Sequence, residues 1–196
     1  MTLTLGAGSP TSSAGDSQGT ATWTVDAAHS QIGFSVRHFF TPVKGSFHDY
    51  EVSLEYDPAH PENSSVEVTI DVGSVDTSHE RRDNDLRSDS WFEVERYPTM
   101  TFRSTSVRPV SDTEFVAVGE LTIKDTTIEI ELPITVLGVM DVPENRRERL
   151  GEQVASFQAG TVIDRRDFGV GTGTWTETTV VGADVEIEIT IEANRR

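Results

Sequence analysis

The chain has no cysteine and only two lysines, Lys44 and Lys124, among its 196 residues. Without thiols there is no disulfide framework, no thiolate nucleophile and no cysteine-ligated metal centre, and a reducing compartment is permitted. Lysine and arginine together number 16 against 33 acidic residues, a formal charge of −17. A field of that sign repels nucleic-acid phosphates and anionic bilayers, so no nucleic-acid partner is expected. Long apolar runs are missing too: nothing approaches the ~18 residues of a spanning helix. The opening "MTLTLGAGSPTSSAGDSQGT" has neither a basic n-region nor a long apolar stretch, so no secretory leader is expected and the protein reads as soluble, cytoplasmic, and monomeric or homodimeric.

Several chemistries lack their residues. A G-x-S-x-G flanked by a strand and a helix, which would place a nucleophile on a strand-to-helix turn, is missing. The glycines of "GVGTGTW" (Gly169, Gly171, Gly173) lack the dinucleotide spacing and sit among strands, so they read as a connection. Five histidines (His29, His38, His48, His60, His79) show no i, i+2 or i, i+4 pairing, and neither a metal nor a cofactor is expected. Most carboxylates alternate with apolar residues, which makes them a solvated face rather than glycosidase pairs.

Alternation is what the sequence does have. In "VEIEITIEA", Val185, Ile187, Ile189 and Ile191 share one face and Glu186, Glu188, Thr190 and Glu192 the other. The same period of two runs through "TIEIELPITV", "VEVTIDV" and "YEVSLEY", the pattern of half-buried antiparallel strands. Further strands at 30–39, near 98–107, near 114–124 and at 155–165 bring the expected total to about eight, the number at which an antiparallel sheet closes into a small barrel. Residues 1 to about 20 read as a flexible Gly/Ser/Thr tail, and 21–194 as one domain, long enough to bury roughly two-thirds of its unfolded surface.

Two stretches break the period. "DTSHERRDNDLRSDSWFEVERYP" carries Thr77 three residues before Glu80, a capping-box spacing, and is expected to be a short helix over one barrel end with Leu86, Trp91 and Phe92 facing the rim. "DVPENRRERLGEQ" at 141–153 reads as a charged, mobile hairpin loop. His38 is the odd residue, since the period that puts Ile32, Phe34 and Val36 on the apolar side carries it there as well. A ring there needs polar partners: either backbone or a carboxylate such as Asp83, fixing the rim, or a ligand head group at the polar end of a channel.

Taken in order, "WTVDAAHSQIGFSVRH", "VKGSF", "DTSHERRDNDLRSDSWFEVERYPTMTF", "GELTIKDTT" and "VIDRRDFGV" resemble the YceI-like family from about Trp23 to the last strand. Asp26, His29, Ser30, Phe34 and His38 match its opening motif, and Gly45 and Phe47 the next. Thr77, Arg82, Asp83, Leu86, Arg87, Phe92, Tyr97, Pro98 and Phe102 match the helical segment and the strand after it. Gly119, Leu121, Thr122, Ile123, Arg165, Asp167, Phe168 and Gly169 complete the set. The sequence departs from the pattern at Asp85, where a histidine is common, at Trp91, where phenylalanine is usual, and at Asp125, which takes a glycine-like turn position suited to a left-handed backbone.

The resemblance implies an all-β, eight-stranded, antiparallel lipocalin-like barrel with a short helix near one end, binding polyisoprenoids or similar long-chain lipids in an apolar pore. On that reading Ile32, Phe34, Val36, Phe47, Leu54, Trp91, Phe92, Phe102, Leu132, Ile134, Phe157 and Phe168 form the apolar lining. His38, Arg82, Asp83, Arg87 and Arg165 form a polar rim. The expected function is non-enzymatic binding, sequestration or transport of an isoprenoid or fatty-acyl lipid. Two alternatives stand beside it: a lipid isomerase or hydrolase using His38 as general base, and a solid-core interaction module.

Overall fold

The computed structural model describes residues 20–196, so the expected tail lies, but for Thr20, outside the described residues. Eleven hydrogen-bonded segments form one sheet that returns on itself, and they fall on eight long strands because the first three are each interrupted. Strand β1 comprises Ala21–Val25 and Gln31–His38, β2 Thr41–Phe47 and Tyr50–Tyr56, and β3 Ser65–Asp71 and Val75–Asp76. Strands β4 (Thr99–Pro109), β5 (Glu114–Ile123), β6 (Thr126–Asp141), β7 (Gln153–Asp164) and β8 (Val181–Arg195) follow.

Each strand pairs antiparallel with the next, and β8 closes the ring by pairing with both segments of β1, Asn194 opposite Thr24 and Val185 opposite Val36. The protein is a closed, eight-stranded, up-and-down antiparallel barrel. Closure removes the exposed sheet edges that would invite aggregation.

The alternation read from the sequence sets which side faces in. Across the β7–β8 and β7–β6 ladders, Ala159 lies opposite Ile189 and Ile134, while the neighbouring Gln158 lies opposite Thr190 and Thr135. A slip of one residue would turn every inward chain outward. Two apolar clusters fill the ends. Trp23, Tyr56, Phe115, Phe157 and Ala193 plug the end where the described chain begins and finishes, and there the Trp23 indole donates to the Tyr56 carbonyl at 3.0 Å. Phe47, Val75, Trp91, Phe102 and Phe168 gather at the opposite, helix-bearing end.

Helix α1 (Glu80–Arg87) caps that second end, but Thr77 is not its N-cap. His79 takes the position, its Nδ1 accepting from the Arg82 N–H at 3.3 Å. Thr77 is drawn to buried Asp83 instead, whose carboxylate accepts from the Thr77 N–H at 2.9 Å and hydroxyl at 2.5 Å. The 141–153 segment is also more regular than expected: a 3-10 turn at Glu144–Arg146 leads into α2 (Arg147–Leu150). Its apolar anchor Val142 is 2% exposed, and the Arg147 Nε donates to the Val142 carbonyl at 2.9 Å. Among the described residues no helix is long and apolar enough to cross a membrane.

Candidate functional site

Between the two plugs the barrel encloses a hollow of about 220 Å³. Its lining runs from Leu86, Trp91, Phe92 and Val170 at the helix end, past Ile32, Val68, Phe102, Leu132 and Ile189, to Tyr56, Phe115 and Phe157 at the termini end. Residual accessibility marks the hollow independently. Val52, Leu54, Val66, Val68 and Ile70 point inward and line it, yet each is only half-buried. In an interlocked core such side chains lose nearly all accessible surface, so their remaining surface faces a void.

Of the apolar lining read from the sequence, all but Phe168 border the hollow. Phe168 is buried behind it in the helix-end cluster, on a 3-10 turn (Arg165–Phe168) that ends at left-handed Gly169. Sequence reasoning missed Val66, Val107, Ser64 and Ser65, which also border the hollow. Val66 follows from the alternation of "VEVTIDV", but the other three depend on how β3 and β4 diverge, for which the chain carries no local signal.

The polar rim does not assemble. Of its five residues only Arg165 borders the hollow. Arg82 donates to the Thr77 hydroxyl at 2.7 Å and carbonyl at 2.8 Å, and Arg87 to the Gly73 and Val75 carbonyls at 2.8 and 2.7 Å. With Asp83 they form a clasp that fastens α1 to the end of β3. His38 is exposed, edge-on to the Phe39 ring with 4.8 Å between centroids. The period of two fails there for a physical reason. The β1–β8 register shifts between Val36 and His38, and the hairpin tip at Phe39–Phe40 projects past the rim, where there is no core to face. His38 therefore reaches neither Asp83 nor the channel, and the general-base arrangement lacks its geometry.

Arg165 is 3% exposed and has no carboxylate partner at hydrogen-bond distance. Its guanidinium donates to the carbonyls of Gly182 and Val170 at 2.8 Å, Trp175 at 2.5 Å and Val181 at 3.1 Å, and packs over the Trp91 ring at 5.3 Å. Burial pulls its pKa below the ordinary guanidinium value, opposed by nearby Asp164, but the group stays charged. Four of its five N–H donors are engaged by backbone, so it holds the 165–182 segment over the barrel end instead of presenting a free cation. Gly171 makes room for it: a Cβ there would lie 2.2 Å from the Arg165 Nη1.

At the β5–β6 turn the left-handed residue is Lys124, φ 57°, not Asp125. Lys124 reaches back to Glu93 at 3.3 Å and to the Gly169 carbonyl at 3.2 Å, while Asp125 accepts from the Tyr97 hydroxyl at 3.0 Å. The turn thus ties the two capping segments together. On the outer wall His29 Nδ1 lies 3.0 Å from Asp26 and 3.8 Å from Glu192. The hydrogen bond to Asp26, then the charges of Asp26 and Glu192, hold the His29 pKa above its usual value. The same bond, with the Ala28 N–H, lowers that of Asp26.

The model of the YceI-like domain matches residues 23–193. This chain belongs to the YceI-like family. A UPF0312 protein of Pectobacterium atrosepticum is 32% identical over 172 residues, covering 87% of this chain and 84% of that one. Another, of Azotobacter vinelandii, is 30% identical, covering 74% and 73%. Among solved structures, Burkholderia cenocepacia BcnA is 27% identical with a TM-score of 0.76, covering 86% of this chain and 98% of its own. The Campylobacter jejuni YCEI protein is 31% identical with a TM-score of 0.69, covering 80% and 86%. A Saccharophagus degradans domain described as polyisoprenoid-binding shares the fold at 17% identity and a TM-score of 0.63, covering 90% and 99%. Thr77, Arg82, Asp83, Arg87 and Arg165, which the sequence reading matched to the family's motifs, clasp the barrel's cap.

Proposed function

We propose that this protein binds a long-chain apolar amphiphile, a polyisoprenoid or similar lipid, inside the barrel, and holds or carries it without transforming it. The observation that carries the reading is the lining itself: it is overwhelmingly apolar, and among the described residues no histidine and no carboxylate, the commonest general acids and bases, borders the hollow. The description of the Saccharophagus domain supports the same ligand class.

Magnitudes define what the hollow can hold. A 150 Å³ apolar cavity accommodates benzene, so 220 Å³ corresponds in proportion to about nine carbons. At about 0.8 kcal/mol per methylene that is roughly 7 kcal/mol, a Kd on the order of 10 μM before ordering costs. A forty-carbon tail would supply on the order of 30 kcal/mol if wholly buried, beyond the roughly 18–21 kcal/mol at which affinity saturates. Tails longer than the hollow are accommodated by side chains of the half-buried β2–β3 wall moving apart.

Native mass spectrometry of the purified protein, followed by organic extraction and a titration with geranylgeraniol, tests this. A co-purifying lipid, or saturable uptake of the alcohol, is the expected result. Neither appearing would end the proposal, and conversion of the alcohol to product would replace it with an enzymatic one.

A further inference from the structure

Two seams of the barrel wall lack ladder pairing, β6–β7 beyond Ala159 opposite Ile134 and β3–β4 beyond Glu67 opposite Arg103, and it is at the second that the hollow borders an exposed residue. Strands β3 and β4 pair from Asp71 opposite Thr99 to Glu67 opposite Arg103 and no further. Beyond that rung β4 continues to Pro109 paired only with β5, through a bulge between Ser104 and Ser106, while Ser65 and Val66 pair only with β2. One side-chain bond spans the gap, from the Val66 N–H to the Ser104 Oγ at 2.9 Å. The Pro61–Asn63 turn lies against β4 beside it.

Ser64, Ser65, Val66 and Val107 flank this seam and line the hollow, and Ser65 is the one lining residue that is exposed. Both barrel ends, by contrast, carry packed side chains. Trp23 and its aromatic neighbours fill the termini end, and Arg165, with the α1 clasp, fastens the helix end through hydrogen bonds to backbone.

Resting on the lipid-binding reading, we infer that ligands enter and leave sideways, through the β3–β4 seam beneath the 57–64 loop, and not through either end. Parting the seam breaks no backbone ladder bond, only the Val66–Ser104 contact, whereas opening an end disrupts a buried aromatic plug or a clasped helix. The 57–64 loop moves as a unit because its bonds are its own: Asp57 accepts from the Ala59 and His60 N–H groups at 2.9 and 3.2 Å, and the Asp57 N–H donates to the Ser64 hydroxyl at 3.1 Å. A lipid entering here tail first runs toward Leu86, Trp91 and Phe92 and leaves its polar end against the Ser64 and Ser65 hydroxyls.

A chain without native cysteine permits a clean test. Val66 and Ser104 occupy the rung next to Glu67–Arg103, so the Val66→Cys/Ser104→Cys variant staples the seam when oxidised. Stopped-flow fluorescence with N-phenylnaphthylamine, an uncharged apolar dye, reads the rates. Relative to the reduced form of the same variant, the oxidised form is expected to take up and release the dye at least about tenfold more slowly, with reduction restoring both rates. Ser104→Ala, which frees the seam, is expected to accelerate uptake about fivefold. Unchanged rates with the disulfide confirmed by mass overturn the inference, as does an unchanged Ser104→Ala rate should the disulfide not form. Failure of the wild-type protein to bind dye or geranylgeraniol refutes the lipid-binding reading itself, and the seam with it.

Discussion

Replacing Ala159 with phenylalanine separates a hollow barrel from a filled one by two measurements that move in opposite directions. Ala159 lies opposite Ile134 and Ile189 and borders the hollow, whose volume is about 220 Å³. A phenyl ring needs about the 150 Å³ that admits benzene, which leaves room for roughly three of the estimated nine carbons. The six displaced carbons correspond to about 5 kcal/mol of lost burial at 0.8 kcal/mol each. Even if the tail recovers half of that by shifting, binding weakens about fifty-fold. Stability goes the other way, because the ring enters empty space and gains up to about 1.5–3 kcal/mol on burial, whereas in a filled core the same substitution would cost about 1–3 kcal/mol by overpacking. Urea unfolding and a geranylgeraniol titration on the same variant read both. An Ala159→Phe protein destabilised by more than about 1 kcal/mol, with lipid affinity intact, would show that the inward faces interlock and that no tail resides between them.

Arg165→Met leaves the buried Gly182 and Val170 carbonyls without their 2.8 Å donors; at about 1–3 kcal/mol each, urea unfolding is expected to show a loss of about 2–6 kcal/mol, and a loss under 1 kcal/mol would reject the fastening role. Trp23→Ala is expected to destabilise by about 3–5 kcal/mol through the cavity it opens among Tyr56 and its neighbours, read by the same assay and refuted by a near-neutral result. His29→Ala addresses pH. With the folded His29 pKa raised, its contribution is fully present below the unfolded value of 6.5 and fades as pH rises through the higher folded value. The lowered Asp26 pKa makes its share present above 3.8 and lost as pH falls through the lower folded value. The deficit of His29→Ala relative to wild type should therefore be larger near about pH 5 than near about pH 9, and equal deficits at the two would exclude the ion pair as its source.

The inward faces were legible in the sequence because burial in a sheet is a local rule. Alternation in "VEIEITIEA" states which side of β8 faces in whatever its neighbours are, and Val185, Ile187, Ile189 and Ile191 all border the hollow. The eight strands and the short helix followed from the same periodicity and its interruption. What resisted reading was every feature decided by long-range geometry. His38 obeys the period up to a hairpin tip that has left the barrel behind. Thr77 has capping spacing, yet a carboxylate six residues on competes for it and wins with two hydrogen bonds. Arg82, Arg87 and Arg165 looked like cations awaiting an anion, because a sequence shows charged groups but not the backbone carbonyls that satisfy them.

Those arginines have a common consequence for function. Backbone carbonyls neutralise a guanidinium through fixed dipoles without adding a titratable group. The Asp26–His29 pair does titrate, but it lies on the outer wall, away from the residues that border the hollow. Among the described residues no histidine or carboxylate borders the hollow. Substitutions at Arg82, Arg87 or Arg165 should lower stability and speed dye release together, since each loosens the lid rather than removing a contact to the ligand. Head-group preference that changed while stability held would instead place one of these guanidinium groups on the lipid.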